Sequence, residues 1–437
     1  MESFDTPGLL SVADKTALRD GVRGIRQVPT PMDTSLTKIP KEYIPKFIDA
    51  LTSPLTEEEK KSGTYTPPKH EGILMTGTYD EVQEAFKGKL RDTPFGGPWA
   101  EMTDGLPVVP PTEERVAKML TGTSHDPDEE IVFGGFAGRG GKHIATVKKV
   151  AINAVMAGCT PEMLPAVLAI AESGACVGYP GDSSFGNMYV ASGPYAKEIG
   201  MNAGFGILAS NNPANKTLER ACQLMGINLG GCLWGIGCLE RTGSMHWGTI
   251  FAENPDTPWE TLNVHHGYKP DESILLFFGM KAELVSFQNI EPLSCETLED
   301  NQPGTPAHAI AALRTGTNQK SAILLFTPDT AKYWAKKYDF AGTMRKFQEW
   351  VWKNVTWEAG KWYKNYWFAT RHLSSFYKSR GTGTMQLNAD HFDIPLDTMV
   401  PMFDSPESVT IIVAGGSGDA WTWGFGRPKA ILIDKWR

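Results

Sequence analysis

The sequence has few cysteines, and none of them shows the paired C-x-x-C spacing of zinc sites and redox motifs. Six cysteines are too few to build a disulfide scaffold in a chain of 437 residues. We therefore expect reduced and mostly buried thiols. They are Cys159, Cys176, Cys222, Cys232, Cys238 and Cys295.

Long apolar runs and an excess of basic residues are also missing. No window supplies the ~20 apolar residues of a membrane-spanning helix, and the acidic, proline-broken start MESFDTPGLLSVADK is unlike a secretory signal. A net charge of −8 argues against general nucleic-acid binding, which needs a clustered basic face. We expect a cytoplasmic protein whose partners are small molecules or proteins, with no nucleic acid and no membrane.

Several common catalytic and nucleotide-binding motifs are absent. The sequence contains no Walker P-loop, no dinucleotide G-x-G-x-x-G, no G-x-S-x-G elbow and no H-E-x-x-H. Function must therefore be inferred from local groups of residues, and the cofactor stays unknown.

Short buried strands alternate with helical stretches over most of the chain. Apolar runs at 273–278, 321–326 and 409–414 are typical of strands in sheets covered on both faces. This alternation predicts an α/β fold with mixed or largely parallel sheets, helices on both faces and an extended N-terminal arm.

The chain exceeds the size at which a single core usually stops growing, so we expect more than one unit. Prolines and short polar segments mark residues 1–70 as the extended arm. Residues 71–320 are predicted to form an α/β body with a central glycine loop and helix pair. Residues 321–437 are predicted to form a C-terminal α/β part with an aromatic-rich helical segment.

The central stretch at 134–173 is predicted to be a glycine-rich loop, a helix beginning near Ile144, a Gly-Cys break and a second helix. Free N–H groups at the helix start, facing Gly140 and Gly141, could bind an anion. Lys149 and Asn153 share a polar helix face beside the apolar stripe. The alternative is that the helix pair only packs in the core.

Asparagines and glycines supply further candidate ligand groups. Asn202, Asn212 and Asn215 could grip a carboxylate or amide, although loop asparagines also cap helices and form turns. The last buried strand leads into Gly416 and Ser417, and ligands of open α/β sheets gather beyond such strand ends.

Histidines and carboxylates cluster between residues 246 and 266. His246, Glu253, Asp256, His265 and His266 could serve general acid and base chemistry or bind a metal, alone or with the Cys232 and Cys238 thiols. Exposed loop residues without a function are the alternative. A metal is a minority expectation, and we assign no metal ligands.

Tryptophan is concentrated in one segment, with six residues between Trp334 and Trp367. Because large exposed aromatic patches usually mark association, this segment predicts a subunit interface or lid, and hence a homo-oligomer.

Six segments resemble a largely uncharacterised bacterial family associated with UGSC (seleno)protein-like partners. One is KVAINAVMAGCTPEMLPAVLA (149–169), which contains the motif K-x-A-x-NAVMAGC, and its run NAVMAGC is the most specific. The others are DGLPVVPPTEERV (104–116), the helix and loop at 212–231, FAENPDTPWETLNV (251–264), ILLFTPDTAKYWA (323–335) and IIVAGGSG (411–418).

The chain departs from the family pattern at 177–191 and at His246-Trp247. The resemblance implies no activity. It implies a shared pattern that includes Lys149, Asn153, Gly158, Cys159, Glu162, Asn215, Glu253 and Trp259.

These observations favour an enzyme, of lyase or hydrolase type, that cleaves a carbon–heteroatom bond in a small polar, carboxylated substrate. Lys149, Cys159, Glu253 and His246 are the expected catalytic residues, with Glu253 as general base and Cys159 as a nucleophile or redox thiol if its pKa is lowered. The expected substrate-binding residues are Gly140, Gly141, Asn153, Asn202, Asn212, Asn215, Trp259, Gly416 and Ser417. The alternatives are a non-catalytic or accessory subunit of a redox or thiol-dependent complex, and a metal-dependent enzyme.

Overall fold

A computed structural model describes residues 2–4, 28–30, 41–57, 59–61, 75–87, 91–93, 96–99, 103–133, 143–174, 187–230, 247–278, 283–286, 306–314, 321–359, 395–403, 405–417, 421–425 and 428–437. Within these ranges the helices are α1 (Ile44–Thr52), α2 (Tyr79–Lys87), α3 (Glu113–Leu120), α4 (Val147–Ala157), α5 (Leu164–Ser173), α6 (Tyr195–Glu198), α7 (Pro213–Asn228), α8 (Leu262–His265), α9 (Pro306–Leu313), α10 (Pro328–Lys337) and α11 (Met344–Asn354).

The strands in the same ranges are β1 (Glu2–Phe4), β2 (Val28–Thr30), β3 (Arg91–Thr93), β4 (Gly96–Trp99), β5 (Glu130–Phe133), β6 (His143–Thr146), β7 (Asn187–Ser192), β8 (Trp247–Ala252), β9 (Ile274–Phe278), β10 (Glu283–Ser286), β11 (Ala322–Phe326), β12 (Thr356–Glu358), β13 (Met399–Pro401), β14 (Val409–Val413), β15 (Trp421–Phe425) and β16 (Pro428–Leu432).

Two four-stranded mixed sheets form the centre of the molecule. The first sheet has the order β16-β9-β7-β8, and the second has the order β10-β15-β11-β14. In each sheet one central strand has a parallel neighbour, β8 beside β7 and β14 beside β11, and an antiparallel neighbour on its other side. The predicted α/β class with mixed sheets is confirmed.

The two sheets pack face to face, and helices cover their outer faces. Along β7, Val190 enters the apolar cluster that both sheets share, whereas Tyr189 and Ala191 face the cluster containing α3, α4, α5 and α7. Along β11, Leu325 enters the shared cluster, and Phe326 packs with α9, α10 and α11. Because neighbouring side chains of a strand face opposite ways, this alternation gives four layers, helices, sheet, sheet and helices.

Each sheet contains a strand from the other half of the chain. β9 of the first sheet is followed along the chain by β10, which pairs with β15 of the second sheet. β15 is in turn followed by β16, which pairs with β9. The two halves therefore repeat one strand pattern and exchange their last strands. The sheets do not divide at residue 320, where the sequence predicts a boundary.

The helix pair of the central stretch is present, but its start differs from the prediction. Residues 143–146 form β6, antiparallel to β5, and α4 begins at Val147 with Thr146 as its N-cap. The first N–H groups of α4 already have acceptors, because Val147 N donates to Glu129 O and Lys148 N to Pro127 O. The predicted anion site at a helix start directly after the glycine loop is therefore wrong.

The aromatic-rich segment supplies core rather than surface as far as residue 359. Trp334 is fully buried and packs on Phe326 and Phe347, while Trp350 stacks on Phe340 with ring centroids 4.0 Å apart. The predicted interface or lid is wrong for this part of the segment. Trp362 and Trp367 lie outside the described residues.

Among the described helices none has the length and apolar character needed to cross a bilayer. In the predicted arm the structure describes β1, β2, α1 and two short 3₁₀ turns.

Candidate functional site

The carboxyl ends of β7 and β8 meet the turn that follows β14. Asn254, two residues beyond β8, donates its backbone N–H to Val413 O at 2.8 Å and its side-chain amide to Gly415 O at 3.0 Å. Gly415 N in turn donates to Ala203 O at 2.9 Å. We call this region the carboxyl edge. Strand ends of this kind are where ligands of α/β proteins gather.

Glu253 is the acidic side chain of this edge. It directly follows β8, its backbone N–H bonds to Ala191 O, and only 7% of its surface is exposed. Its carboxyl oxygen Oε2 accepts from Ser192 Oγ at 2.5 Å. The backbone N–H of Leu262 donates to both carboxyl oxygens, at 3.1 and 2.9 Å. Strand alternation from Phe251 directs the side chain toward the layer between the two sheets.

Burial raises the pKa of Glu253 from its ordinary value of 4.5 to about 7, and the bonds from Ser192 and Leu262 only partly oppose that rise. Desolvation dominates because no cation compensates the buried charge within the described residues. A carboxyl group with a pKa near neutrality can take up and release protons at ordinary pH, as general acid–base catalysis requires.

Ser192 and Asn263 complete a buried network around Glu253. Ser192 Oγ lies 3.1 Å from Asn263 Oδ1 and accepts the Asn263 backbone N–H at 2.9 Å. Thr261 Oγ1 donates to the same Oδ1 at 2.6 Å. Ser192 and Asn263 were not among the predicted site residues. The only signal for Ser192 in the sequence is its place directly after the short apolar run at 188–191.

The turn at residues 415–417, which we call the glycine turn, lies at the same edge. Gly415 has φ +98°, a backbone conformation that favours glycine. The ring of Phe205, which is 73% exposed, lies so close to Gly416 that an added Cβ would be 2.4 Å from it. Gly416 and Ser417 therefore lie near the strand end that carries Glu253, and Phe205, which was not predicted, lies against Gly416. Substrate binding by Gly416 and Ser417 stays a prediction.

The predicted ligand-binding asparagines instead hold a loop together. Asn202 donates to Phe205 O and to Asn212 Oδ1, at 2.7 and 2.8 Å. Asn212 donates to Gly206 O, and the buried Asn215 bonds to the Asn202 backbone and to Ile207 O. Their amide groups are engaged inside residues 201–212, which we call the asparagine loop. The structure therefore favours the turn-forming alternative.

Cys159 is buried, and its predicted activation is wrong. Burial raises the pKa of the Cys159 thiol to about 12, against the smaller opposing effect of its contact with Thr217 O at 3.6 Å. Thiol chemistry needs the thiolate, which is scarce at such a pKa.

Asn153 is also buried, and it bonds to Lys149 O and to Asn228 between α4 and α7. Within the described residues, Lys149 is exposed and takes no part in the Glu253 hydrogen bonds.

Trp259 is a core residue rather than a ligand group. Its ring packs against Phe326 and Phe347, and its indole N–H donates to Ala341 O at 2.7 Å. It anchors the segment after β8 to the helical layer of the second sheet.

The histidine candidates do not join Glu253 in the part of the chain that is described. His265 Nδ1 lies 2.6 Å from Glu260 Oε1, and its Nε2 lies 3.1 Å from Gln348 Nε2. Burial and the neighbouring His265 lower the pKa of His266. No group of three or more His, Cys, Asp or Glu side chains among the described residues is placed to hold a metal. His246, Gly140, Gly141, Cys232 and Cys238 lie outside those residues.

No protein-family model, curated protein or solved structure matches this chain.

Proposed function

We propose that this protein is an enzyme that cleaves a carbon–heteroatom bond in a small polar substrate at the carboxyl edge, with Glu253 as its general acid and base. One observation supports this above all: a carboxyl group with a pKa near 7 is buried at the ends of two parallel strands without a compensating cation in the described structure. Buried carboxyl groups of this kind destabilise the folded state when ionised, so their presence calls for a function.

The surroundings of Glu253 suit reversible proton transfer. The Leu262 N–H and the Ser192 hydroxyl hold the carboxyl in one orientation, and the apolar layer between the sheets excludes water from its buried side. In the proposed reaction Glu253 removes a proton from carbon or from an attacking water and returns it to the leaving heteroatom. The exposed Phe205 and the glycine turn offer a wall against which a small substrate could lie.

A substrate panel in D2O tests this function. Small hydroxy acids, amino acids, carboxamides and esters are incubated with the protein, and ¹H NMR follows bond cleavage or exchange of C–H for C–D. Glu253→Gln keeps the shape of the side chain but cannot accept a proton, so we expect a loss of roughly 10²–10⁴-fold in rate. Glu113→Gln, the same change at an exposed glutamate of α3, is the matched control and should retain activity. Turnover by Glu253→Gln at the wild-type rate would contradict the proposal.

The predicted homo-oligomer has one observation of its own. Along α1, Ile44, Ile48 and Leu51 are 46, 55 and 83% exposed, respectively, and helical spacing places them on one face. Such a face is typical of contact with another protein surface. As a second proposal, α1 joins two copies of this chain.

Light scattering with size-exclusion chromatography tests this second proposal. The double variant Ile48→Asp, Leu51→Asp should then be monomeric, whereas Leu106→Asp, at an apolar position elsewhere that is 60% exposed, should leave the wild-type mass unchanged. A wild-type protein that is already monomeric at high concentration would contradict a role of α1 in self-association.

A further inference from the structure

The Ser192 hydroxyl stands between two acceptors in the network around Glu253. Its oxygen lies 2.5 Å from Glu253 Oε2 and 3.1 Å from Asn263 Oδ1, and both distances allow a hydrogen bond. The same oxygen accepts the Asn263 backbone N–H at 2.9 Å. A hydroxyl has a single proton to donate, so Ser192 can serve only one of the two acceptors at a time.

The orientation of the Asn263 amide is fixed by its other partners. Its Nδ2 donates to Lys269 O at 2.9 Å and to Glu272 O at 2.8 Å, and both acceptors are backbone carbonyls. Turning the amide over would set its oxygen against those two carbonyls. Oδ1 therefore faces the hydroxyls of Ser192 and Thr261, and it is a permanent acceptor beside Ser192.

Two hydrogen-bond patterns follow from this geometry. When Glu253 is ionised, the Ser192 hydroxyl donates to Oε2. When Glu253 is protonated, the carboxyl proton is donated to Ser192 Oγ, and the Ser192 proton turns toward Asn263 Oδ1. No covalent bond of Ser192 changes, and no buried polar group of the network loses its partner in either state.

We propose that Ser192 is a positioning residue whose hydroxyl reverses its hydrogen bond between Glu253 and Asn263, so that the buried carboxyl gains and loses a proton without disrupting its surroundings. This inference rests on the proposed function, because it supplies the means by which Glu253 would act both as acid and as base. The proton itself comes from, and returns to, the substrate or water.

Charged groups near the network are occupied elsewhere. Asp256 pairs with Lys332 of α10, Glu260 pairs with His265, and Lys269 Nζ lies 3.7 Å from Glu272 Oε1. Lys269 and Glu272 reach Asn263 only through backbone carbonyls. Within the described residues the hydrogen-bond partners of the Glu253 carboxyl are Ser192 and the Leu262 N–H.

The second half of the chain provides a natural comparison for this position. Ala414 N bonds to Phe326 O in the second sheet as Glu253 N bonds to Ala191 O in the first, so Ala414 is the counterpart of Glu253. Thr327, which follows Phe326, is then the counterpart of Ser192. The repeat accommodates a threonine at this place, which makes Ser192→Thr the conservative variant. It also shows that only the first half carries the carboxyl group.

The test is a pH titration of Glu253 that needs no substrate. The intact protein is labelled with [δ-¹³C]glutamate, and the signal that disappears in Glu253→Gln is assigned to Glu253. We expect Ser192→Ala to raise the titration midpoint by about one pH unit, because the bond lost to the ionised carboxyl is stronger than the bond lost to the protonated one. Ser192→Thr keeps a hydroxyl and should stay within about 0.3 pH unit of wild type.

Each outcome decides a different point. A midpoint that is unchanged in Ser192→Ala, with wild-type Glu253 titrating near neutrality, overturns the role of Ser192 and leaves the proposed function standing. A wild-type midpoint in the ordinary acidic range overturns both. If Ser192→Ala does not fold, Ser192→Cys, with a similar shape and a weaker donor, should raise the midpoint by a smaller amount, and no rise would refute the proposal.

Discussion

At the scale of single residues, burial decides which side chains can do chemistry. Glu253 and Cys159 are both buried, and in both cases burial raises the pKa. The same cause brings the carboxyl into the neutral range at about 7 and takes the thiol to about 12, out of that range. The two residues were equal candidates in the sequence, and their environments separate them.

The inertness of Cys159 is directly measurable. We expect iodoacetamide at pH 8 to leave Cys159 unmodified in the native protein and to label it once urea has unfolded the chain, because the thiolate is scarce and the side chain is enclosed. Ser417→Cys, on the exposed glycine turn, is the control for accessible thiols. Mass spectrometry of peptides after timed labelling gives both rates. Labelling of native Cys159 as fast as that control would show that the thiol is accessible.

Sequence patterns identified Glu253 as a candidate but not its environment. The residues that follow Glu253 in the sequence include carboxylates, histidines and a tryptophan. Such a mixture is typical of a catalytic site, but it does not show which of these side chains is buried. Ser192 reaches Glu253 from 61 residues away in the chain, and Asn263 joins the network through Ser192, from which it is 71 residues away, so these contacts were not foreseen. Trp259 belongs to the pattern of the family that the chain resembles and was expected to bind substrate, although its ring lies in the core.

At the scale of structural elements, the asparagine loop shows how a polar segment can be a rigid support. The side chains of Asn202 and Asn212 in the loop, and of Asn215 in α7, bond to the loop backbone or to one another. The loop in turn holds the exposed Phe205 over the glycine turn. Rigid presentation of an exposed aromatic ring is typical of binding surfaces.

Loss of Asn215 should destabilise the protein through this loop. Asn215→Ala removes the partner of the Asn202 N–H and of two backbone carbonyls, so we expect the free energy of unfolding to fall by about 2 kcal/mol. Asn211→Ala, at the exposed neighbouring asparagine, should change it by less than about 0.5 kcal/mol. Urea unfolding measures both values. Equal stabilities for the two variants would mean that the loop does not depend on Asn215.

The start of α4 illustrates what local sequence cannot determine. HIAT at 143–146 suits a helix start or a strand, because Thr146 caps a helix and Ile144 favours a strand. Pairing with β5, in the register Ile131↔Ala145, decides for the strand. That contact arises from tertiary structure, so the sequence pattern placed the helix three residues too early.

At the scale of the whole molecule, the exchanged strands tie the two sheets into one unit. The apolar runs of β9, β11 and β14 were recognised in the sequence as buried strands, and the α/β class follows from them. The exchange was not recognised, because β10 and β16 pair with strands far away in the chain. Local periodicity gives strand positions but does not say which sheet a strand joins.

A cavity in β16 should therefore weaken both sheets. Ile431 is 4% exposed and pairs with Leu275, so Ile431→Ala should lower the free energy of unfolding by about 2–4 kcal/mol. Hydrogen exchange followed by mass spectrometry should show faster exchange in β9 and in β11 alike, since the sheets open together. Lys429→Ala, at an exposed position of the same strand, is the control. Faster exchange confined to β9 would contradict a single cooperative unit.

The most direct test of the central claim compares the stability of wild type and Glu253→Gln at pH 5 and pH 8. The pKa of Glu253 is raised by folding, so the stability from its protonated form is complete below its ordinary value of 4.5 and is lost as the pH rises through about 7. Between the two pH values wild type should lose roughly 2–3 kcal/mol more than Glu253→Gln in urea unfolding. If both proteins show the same pH dependence, Glu253 does not titrate near neutrality and cannot be the acid–base group of this site.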